Sequence, residues 1–453
     1  MNKATDGRKQ LRVGCDPGSV RKPAFTHGAT LFRLNLVAWT LFCAFLLAPG
    51  AYILNKATAN GQMQRHPPQR AFIFFYTMGR ILNEHPSERL YDYELQQELA
   101  NQVHVPKDLK YGPVTYPPYV GILFRPFARL PFAKAYLLWL TTSLSLYLFG
   151  LRVLTRHFFS EDPIRQSLSF CFALSFLPFV WIMIGGQIPT IGFLGLALAF
   201  REEDRGNPIM SGLAMSLGLY KPTFMVLLIP MLLVSRRKQT LLGLIAGGAA
   251  LVVLATAVEG IGVWAGYVRL LLSFGSAAVR SHDFQDLPNY MDLSSFSSML
   301  PGGRSLPGGC ILAALACLIL YFLFCAWRKC PGPGTRTSTL VWATTVTWTL
   351  VLNLYVPIYD SILGIIAVIA TIAVLNGSEH PRLRRQFSVA WTVTLLGSWV
   401  TIGVARSTGF QMFTVMLSLL GTLQLIAFQE VCKSPELTDP QPHTALSTEI
   451  VES

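Results

Sequence analysis

Charged residues are scarce in this sequence. Only 13% of its 453 residues are Asp, Glu, Lys or Arg, whereas 52% are hydrophobic, and an average soluble domain has about 25% charged residues. This composition argues against a soluble domain. Apolar runs recur at about 20 residues, the length that lets a helix cross the hydrocarbon core of a bilayer. The sequence therefore predicts an all-α polytopic membrane protein rather than a β-barrel.

Several common functional motifs are also missing. There is no GxxxxGK[ST] or GxGxxG loop between a strand and a helix, no HExxH and no paired CxxC. The eight cysteines show no disulfide framework or zinc spacing. We therefore expect no cofactor and no metal. The net charge of +13 does not indicate nucleic acid, because Lys and Arg form short clusters between apolar runs, which is typical of membrane orientation.

A series of apolar runs organises the chain. They lie at about 34–54, 132–151, 166–200, 208–235, 239–258, 306–327, 338–376, 387–405 and 409–430. Two of them, 166–200 and 338–376, are far too long for one crossing, which takes roughly 17 to 25 residues. The first of these is interrupted by GGQ at 185–187 and the second by PIYD at 357–360. Each of these two runs is predicted to form two antiparallel helices joined at the polar residues that interrupt it.

The run 208–235 is divided differently, at Lys221-Pro222, which leaves about a dozen residues on each side. Proline removes a backbone donor and disfavours helix in the residue before it. Non-helical backbone at membrane depth is tolerated only where protein lines a cavity. The run therefore predicts a pair of half-helices with Lys221 at their tip.

The basic clusters predict that both termini are cytoplasmic. The arrangement has about ten full crossings plus the half-helix pair. It comprises a basic tail at 1–33, a transmembrane domain at 34–430 with outer loops 55–131 and 259–305, and a disordered tail at 431–453. In this arrangement the two outer loops, the GGQ turn, Lys221 and the PIYD turn all approach the outer face. Amphipathic stretches within the outer loops, at 71–82, 116–131 and 263–276, predict cap helices over the bundle.

Lys221 and Asp360 are ionisable groups inside apolar runs. Placing such a group within a membrane helix costs about 2.5 to 3.5 kcal/mol on insertion scales, so it normally faces a cavity or a partner. Lys221 suits the binding of a phosphate; alternatively it snorkels to the interface or pairs with a carboxylate for structure alone. Asp360 suits hydrogen bonding to sugar hydroxyls or general-base chemistry. Alternatively, and compatibly, it is a helix N-cap.

Gln187 follows two glycines, which allow a close approach of the backbone at this turn. The Gln187 amide could then bind substrate hydroxyl groups. The alternative is that these three residues only form the turn. The Tyr116-Pro117-Pro118 motif is best explained as the start of a helix, since proline is favoured in the first turn of a helix. The first outer loop also carries charged residues, each of which is most simply a solvated charge, although together they suggest a site in a cap. They are Arg80, Glu84, Asp92, Glu94 and Arg125.

Six short sequence motifs, taken together, resemble those of glycosyltransferase family 87, which belongs to the GT-C superfamily of integral membrane enzymes. They are FIFFYTMGRIL, LYDYE, YPPYVGILFRPFARLP, GGQIPTIGFLGLALAF, GLYKP and NLYVPIYDSIL, and they span roughly 70–365. The resemblance implies a GT-C-like bundle in a bacterial inner membrane. It also implies that a hexose, mannose in the best-known members, passes from a polyprenyl-phosphate donor to a lipid or glycan acceptor at the outer face.

One position departs from the family pattern. The family usually has an aspartate that looks like the catalytic base where this chain has Ala71, and loss of a positioned base costs about 10² to 10⁴ in rate. Either another carboxylate substitutes, with Asp360, Asp92 and Glu94 as candidates, or the chain is a degenerate scaffold. The predicted substrate-binding residues are Lys221, Gln187, Arg80, Tyr76, Tyr116 and Tyr359. A transporter or lipid flippase is the alternative from another functional class, since transporters also use broken helices.

Overall fold

The computed structural model describes residues 70–103, 113–273, 287–303, 305–330 and 332–433, together with the helical residues 33, 36, 37 and 40. The predicted crossing at 34–54 lies almost wholly outside these residues. The basic tail at 1–33, except residue 33, also lies outside them, as does the predicted disordered tail at 431–453, except residues 431–433, which belong to the last helix.

The described residues form α-helices and short 3-10 segments without a strand, which confirms the predicted all-α class. The α-helices are α1 Arg70–Glu84, α2 Tyr93–Val103, α3 Pro118–Phe124, α4 Phe132–Phe158, α5 Pro163–Leu174, α6 Leu177–Gly185, α7 Pro189–Asp204, α8 Pro208–Met215, α9 Met225–Val234, α10 Lys238–Glu259, α11 Gly262–Ser273, α12 Leu293–Met299, α13 Leu306–Arg328, α14 Arg336–Leu352, α15 Gly364–Asn376, α16 Pro381–Thr408 and α17 Met412–Lys433. The 3-10 segments are Ser87–Tyr91, Phe127–Arg129, Ser216–Tyr220, Pro222–Phe224, Leu287–Asn289 and Ile358–Leu363.

Six of the described helices are long and apolar enough to cross a membrane, so the chain is an integral membrane protein. They are α4, α10, α13, the segment Ile358–Asn376, α16 and α17. A seventh crossing results if α5 and α6, which meet at an angle of 56°, count as one bent span. The predicted total of about ten stays a prediction, because α7 and α14 have only 16 and 17 residues and the predicted crossing at 34–54 lies almost wholly outside the described residues.

Both predicted interruptions of the long apolar runs are present. Helix α6 ends at the GGQ turn, where Gly186 has a φ of 64°. Helix α14 ends at Leu352, before the PIYD sequence, in which Pro357 precedes the 3-10 segment Ile358–Leu363. The first run also bends where α5 gives way to α6, which the sequence analysis did not foresee. Pro178 in the first turn of α6 explains that bend, because proline cannot donate to the preceding helical turn.

Helices α8 and α9 form the predicted half-helix pair. Along α8, Gly212 meets the start of α10 at Thr240, and Ser216 meets Gly247 further along, so α8 runs parallel to α10. Helix α9 must then return, because it ends only a few residues before α10 begins. Each arm, 208–220 or 222–234, is about 20 Å long at 1.5 Å per residue. Small residues allow this close packing, since a Cβ on Gly212 would lie 1.9 Å from the Thr240 carbonyl oxygen.

Polar contacts join several helix ends at what we call the basic end of the bundle, formed by the turns 159–162, 205–207, 235–237, 329–330, 332–335 and 377–380. His157 Nε2 lies 2.9 Å from Asp204 Oδ2, and Arg237 pairs with the buried Glu203 and donates to Ser338 Oγ at 2.7 Å. The hairpin tip at Lys221, the GGQ turn and the PIYD turn therefore belong to the opposite end of the bundle.

Helices occupy the three predicted cap stretches, as α1, α3 with the following 3-10 turn, and α11. They are tied to the bundle: Arg125 Nη1 lies 2.6 Å from Glu259 Oε1 at the end of α10, and Ser87 Oγ donates to the Glu259 carbonyl at 2.6 Å. Helix α1 is more enclosed than its amphipathic pattern predicts, since Phe72, Ile73 and most of its other apolar side chains are buried. A location at the outer membrane surface stays a prediction.

Candidate active site

Lys221 lies at the tip of the α8–α9 hairpin. Its backbone is extended, with φ −132° and ψ 85°, because the following Pro222 disfavours helical geometry. Its ammonium group forms an ion pair with the carboxylate of Asp360 and stands 5.1 Å from the centre of the Phe224 ring. The structure thus brings together two predicted site residues that are 139 positions apart in the chain.

Asp360 lies in the 3-10 segment Ile358–Leu363, where its backbone N–H donates to the Pro357 carbonyl oxygen at 3.0 Å. Its carboxylate binds Lys221 and caps neither this segment nor α15. The N-cap interpretation of Asp360 is therefore wrong. The side chain of Asp360 is 1% exposed and that of Lys221 is 20% exposed, so each charge in this enclosed place depends on the other for compensation.

Three tyrosines surround the ion pair. The phenol of Tyr116 lies within hydrogen-bonding reach of the Tyr359 phenol, and both interact electrostatically with Asp360. Burial and the Asp360 carboxylate raise the pKa of the Tyr116 phenol above its ordinary value, so this hydroxyl keeps its proton at neutral pH. The buried Tyr220 hydroxyl has no hydrogen-bond partner among the described residues. These hydroxyls supply donors beside a carboxylate and an ammonium group.

The GGQ turn is held by aromatic side chains. Trp139 Nε1 donates to the Gly186 carbonyl oxygen at 3.0 Å, and Tyr136 Oη donates to the Ile184 carbonyl oxygen at 2.8 Å. A Cβ on Gly186 would lie 2.7 Å from that of Phe72, so this glycine permits the close approach of α1. Gln187 is half-buried, and the 3-10 segment that carries Asp360 packs against the helices on both sides of the turn.

Ala71 lies on the face of α1 that turns towards this region. It is 9% exposed and is one helical turn away from Phe75, so the two side chains share a face. The Phe75 ring centre is 5.0 Å from that of Tyr116. A longer side chain at position 71 would therefore extend from the same helix face that already contacts the tyrosines around Asp360.

The other candidates are engaged elsewhere. Arg80 binds Glu84 through two hydrogen bonds of 2.8 and 2.7 Å, and Asp92 binds Arg89 at 2.7 Å. Glu94 is exposed on α2, and Tyr76 Oη donates to the Leu130 carbonyl oxygen at 2.8 Å. Within the described part of the chain, no hydrogen bond or ion pair joins any of these candidates to Lys221 or Asp360.

Two polar residues that the sequence analysis missed hold the loops of the site. Asn353 Nδ2 donates to the Thr223 carbonyl oxygen at 3.0 Å, which fastens the chain before the PIYD turn to the hairpin tip. The fully buried Asp292 accepts from the Val356 N–H at 2.9 Å. Asn353 lies shortly before the PIYD sequence, separated from it by Leu354, Tyr355 and Val356. The sequence around Asp292 shows only an N-cap pattern for α12.

The arrangement combines a cation suited to a phosphate, a carboxylate suited to accepting a proton, and phenols suited to sugar hydroxyls. No three His, Cys, Asp or Glu side chains in the described ranges lie close enough together to hold a metal ion.

Comparison with known proteins identifies the family. The family model of glycosyltransferase family 87 matches residues 115–353, more than half of the chain. The matched range includes Tyr116, Gln187 and Lys221, whereas Ala71 and Asp360 lie outside it. No curated protein and no solved structure matches the chain. On the strength of the family match, the chain belongs to glycosyltransferase family 87 and is a membrane glycosyltransferase by family.

Proposed function

We propose that this chain transfers a hexose, with mannose as the first candidate, from a polyprenyl-phosphate carrier to a lipid or glycan acceptor on the outer face of a bacterial inner membrane. The observation that carries the proposal is the Lys221–Asp360 ion pair at a break in the apolar bundle of a family 87 chain. A lipid-linked donor needs a cation at membrane depth, and Lys221 at the hairpin tip supplies one.

The transfer is a substitution at the anomeric carbon of the donor sugar. The oxygen of an acceptor hydroxyl forms the new bond to that carbon, and the bond from the carbon to the phosphate oxygen breaks. The electron pair of the broken bond stays on the polyprenyl phosphate, where Lys221 stabilises the developing negative charge. A carboxylate takes the proton of the acceptor hydroxyl.

Asp360 is the proposed proton acceptor because its carboxylate is the one paired with Lys221. At rest the Asp360 carboxylate is paired with the Lys221 ammonium group. When the donor phosphate binds Lys221, it competes for the ammonium group and leaves the carboxylate free to accept the proton of the acceptor hydroxyl. Donor binding would thus activate the base, in a chain whose Ala71 cannot provide one.

The test measures release of polyprenyl phosphate from radiolabelled polyprenyl-phosphate mannose by the purified chain in nanodiscs, with acceptor lipids from a bacterial envelope. We expect turnover by the native chain, a loss of about 10²-fold or more in Asp360→Asn and weaker donor binding in Lys221→Ala. Arg165→Gln is the matched control, because its guanidinium group pairs with Asp162, and it should keep the donor affinity.

The same assay separates the competing interpretations. Turnover that appears only in Ala71→Asp would contradict the role of Asp360 and favour a chain that lost its base. Donor affinity unchanged in Lys221→Ala would remove Lys221 from the phosphate role. Movement of intact donor across the bilayer without release of lipid phosphate would favour a flippase.

A further inference from the structure

Tyr355 has a backbone conformation that is unusual for its residue type. Its φ of 53° lies in the left-handed region, and Arg236 is the other non-glycine residue with positive φ in the described part of the chain. This region is unfavourable for an L-residue because Cβ approaches the following carbonyl oxygen. Such strain persists only where the surroundings impose it, and it is common at ligand sites.

The loop around Tyr355 is fastened on one side by Asn353. The amide nitrogen of this side chain donates to the Thr223 carbonyl oxygen at 3.0 Å, and its amide oxygen accepts from the Leu354 N–H at 2.8 Å. Asn353 itself is 5% exposed. The start of the loop is therefore fixed to the hairpin tip, two residues from Lys221.

The other side of the loop is fastened by Asp292, which is fully buried. Its carboxylate accepts from the Val356 N–H at 2.9 Å, the Ser295 N–H at 2.9 Å and the Ser295 hydroxyl at 2.8 Å. The Met291 N–H also donates to the Val356 carbonyl oxygen at 2.9 Å. These bonds hold the backbone on both sides of Tyr355 and impose its left-handed conformation.

Between the two anchors, Leu354 and Tyr355 project outwards and are 60% and 46% exposed. The Tyr355 ring meets the Tyr290 ring edge to face, with ring centres 6.4 Å apart. Tyr290 in turn forms an isolated β-bridge with Pro357, whose carbonyl oxygen accepts from the Asp360 N–H at 3.0 Å. The two rings are therefore connected through the backbone to the segment that carries Asp360.

We propose that Tyr355 and Tyr290 form a subsite for the pyranose ring of the acceptor. This inference rests on the proposed function, and it names where the acceptor binds. The apolar face of a pyranose packs on an aromatic ring, and its hydroxyl groups find hydrogen-bond partners in phenols. The anchors of the loop make such a platform rigid before the sugar binds, which lowers the entropic cost of binding.

The experiment measures binding of the methyl glycosides of mannose, glucose and galactose by saturation-transfer NMR, with the full chain in nanodiscs. The informative variant is Tyr355→Gly, which removes the ring and is compatible with positive φ. We expect the affinity for at least one glycoside to fall about threefold to tenfold, while the melting temperature stays the same or rises. Tyr321→Gly provides the control for removing a tyrosine that is 62% exposed elsewhere, and we expect no loss of affinity.

Two results would overturn the subsite: no binding of any of the three glycosides by the native chain, or the same affinity in Tyr355→Gly. The second result would assign Tyr355 to the membrane interface, where tyrosines are also enriched. Failure of the proposed function is distinguishable from both. A chain that binds a glycoside through Tyr355 but releases no lipid phosphate would refute sugar transfer and leave the sugar subsite in place.

Discussion

The Lys221–Asp360 ion pair makes a quantitative prediction about stability. Breaking a buried pair by removing one partner costs about 3 to 5 kcal/mol, because it leaves one charge without compensation. Asp360→Asn should fall at the low end, about 3 kcal/mol, since the Lys221 side chain is 20% exposed and water screens part of its charge. Lys221→Met should cost about 5 kcal/mol, because it leaves a carboxylate that is only 1% exposed.

The double variant Lys221→Met/Asp360→Asn removes both charges and should cost much less than the sum of the single variants. We expect a coupling energy of at least about 2 kcal/mol. The assay is equilibrium unfolding in mixed micelles titrated with dodecyl sulfate and followed by tryptophan fluorescence.

A matched double-mutant cycle on the Arg89–Asp92 ion pair provides the control. These side chains are 48% and 32% exposed, and exposed pairs contribute about 0.2 to 1 kcal/mol. If the Lys221–Asp360 cycle gave a coupling energy no larger than this control, the two charges would not depend on each other and the account of the site would be refuted.

Two further predictions concern glycines at close contacts. Gly186→Ala should destabilise the chain by about 2 to 5 kcal/mol, because it combines a strained φ of 64° with a methyl group 2.7 Å from Phe72 Cβ. Equilibrium unfolding in mixed micelles measures this loss of stability. A loss below about 1 kcal/mol would contradict the prediction. Gly243→Ala should disrupt the contact of α8 with α10, because the new Cβ would lie 2.2 Å from the Ile209 carbonyl oxygen. Gly309→Ala is its control, with no atom within 4 Å and an expected change within about 0.5 kcal/mol. Equal melting temperatures for these two variants would exclude the packing seen for the hairpin.

The breaks in the helices were predictable because each is marked by polar residues or proline inside an apolar run. The GGQ turn, the PIYD turn and the hairpin tip at Lys221 follow from local chemistry and from the limited length of a crossing. The bend between α5 and α6 also has a local cause in Pro178. It was missed because the surrounding residues are as apolar as a continuous span.

The pairing of side chains was not predictable to the same degree. Charge within an apolar run indicates that Lys221 needs a partner, but nothing local selects Asp360, which is 139 positions away. The N-cap interpretation failed because aspartate before an apolar run has the same local pattern whether it caps a helix or binds a distant cation. Asp292 shows the converse, since it caps α12 and also fixes Val356.

The proposed function requires that the donor phosphate binds at the hairpin tip, away from the basic end. Photo-crosslinking tests it directly, with a polyprenyl phosphate that carries a diazirine next to the phosphate and with adducts mapped by mass spectrometry. We expect adducts within residues 217–224 and 353–360, and we expect fewer of them in Lys221→Ala. Adducts concentrated at the arginines and lysines of 201–205 and 236–238, and unaffected by Lys221→Ala, would contradict it.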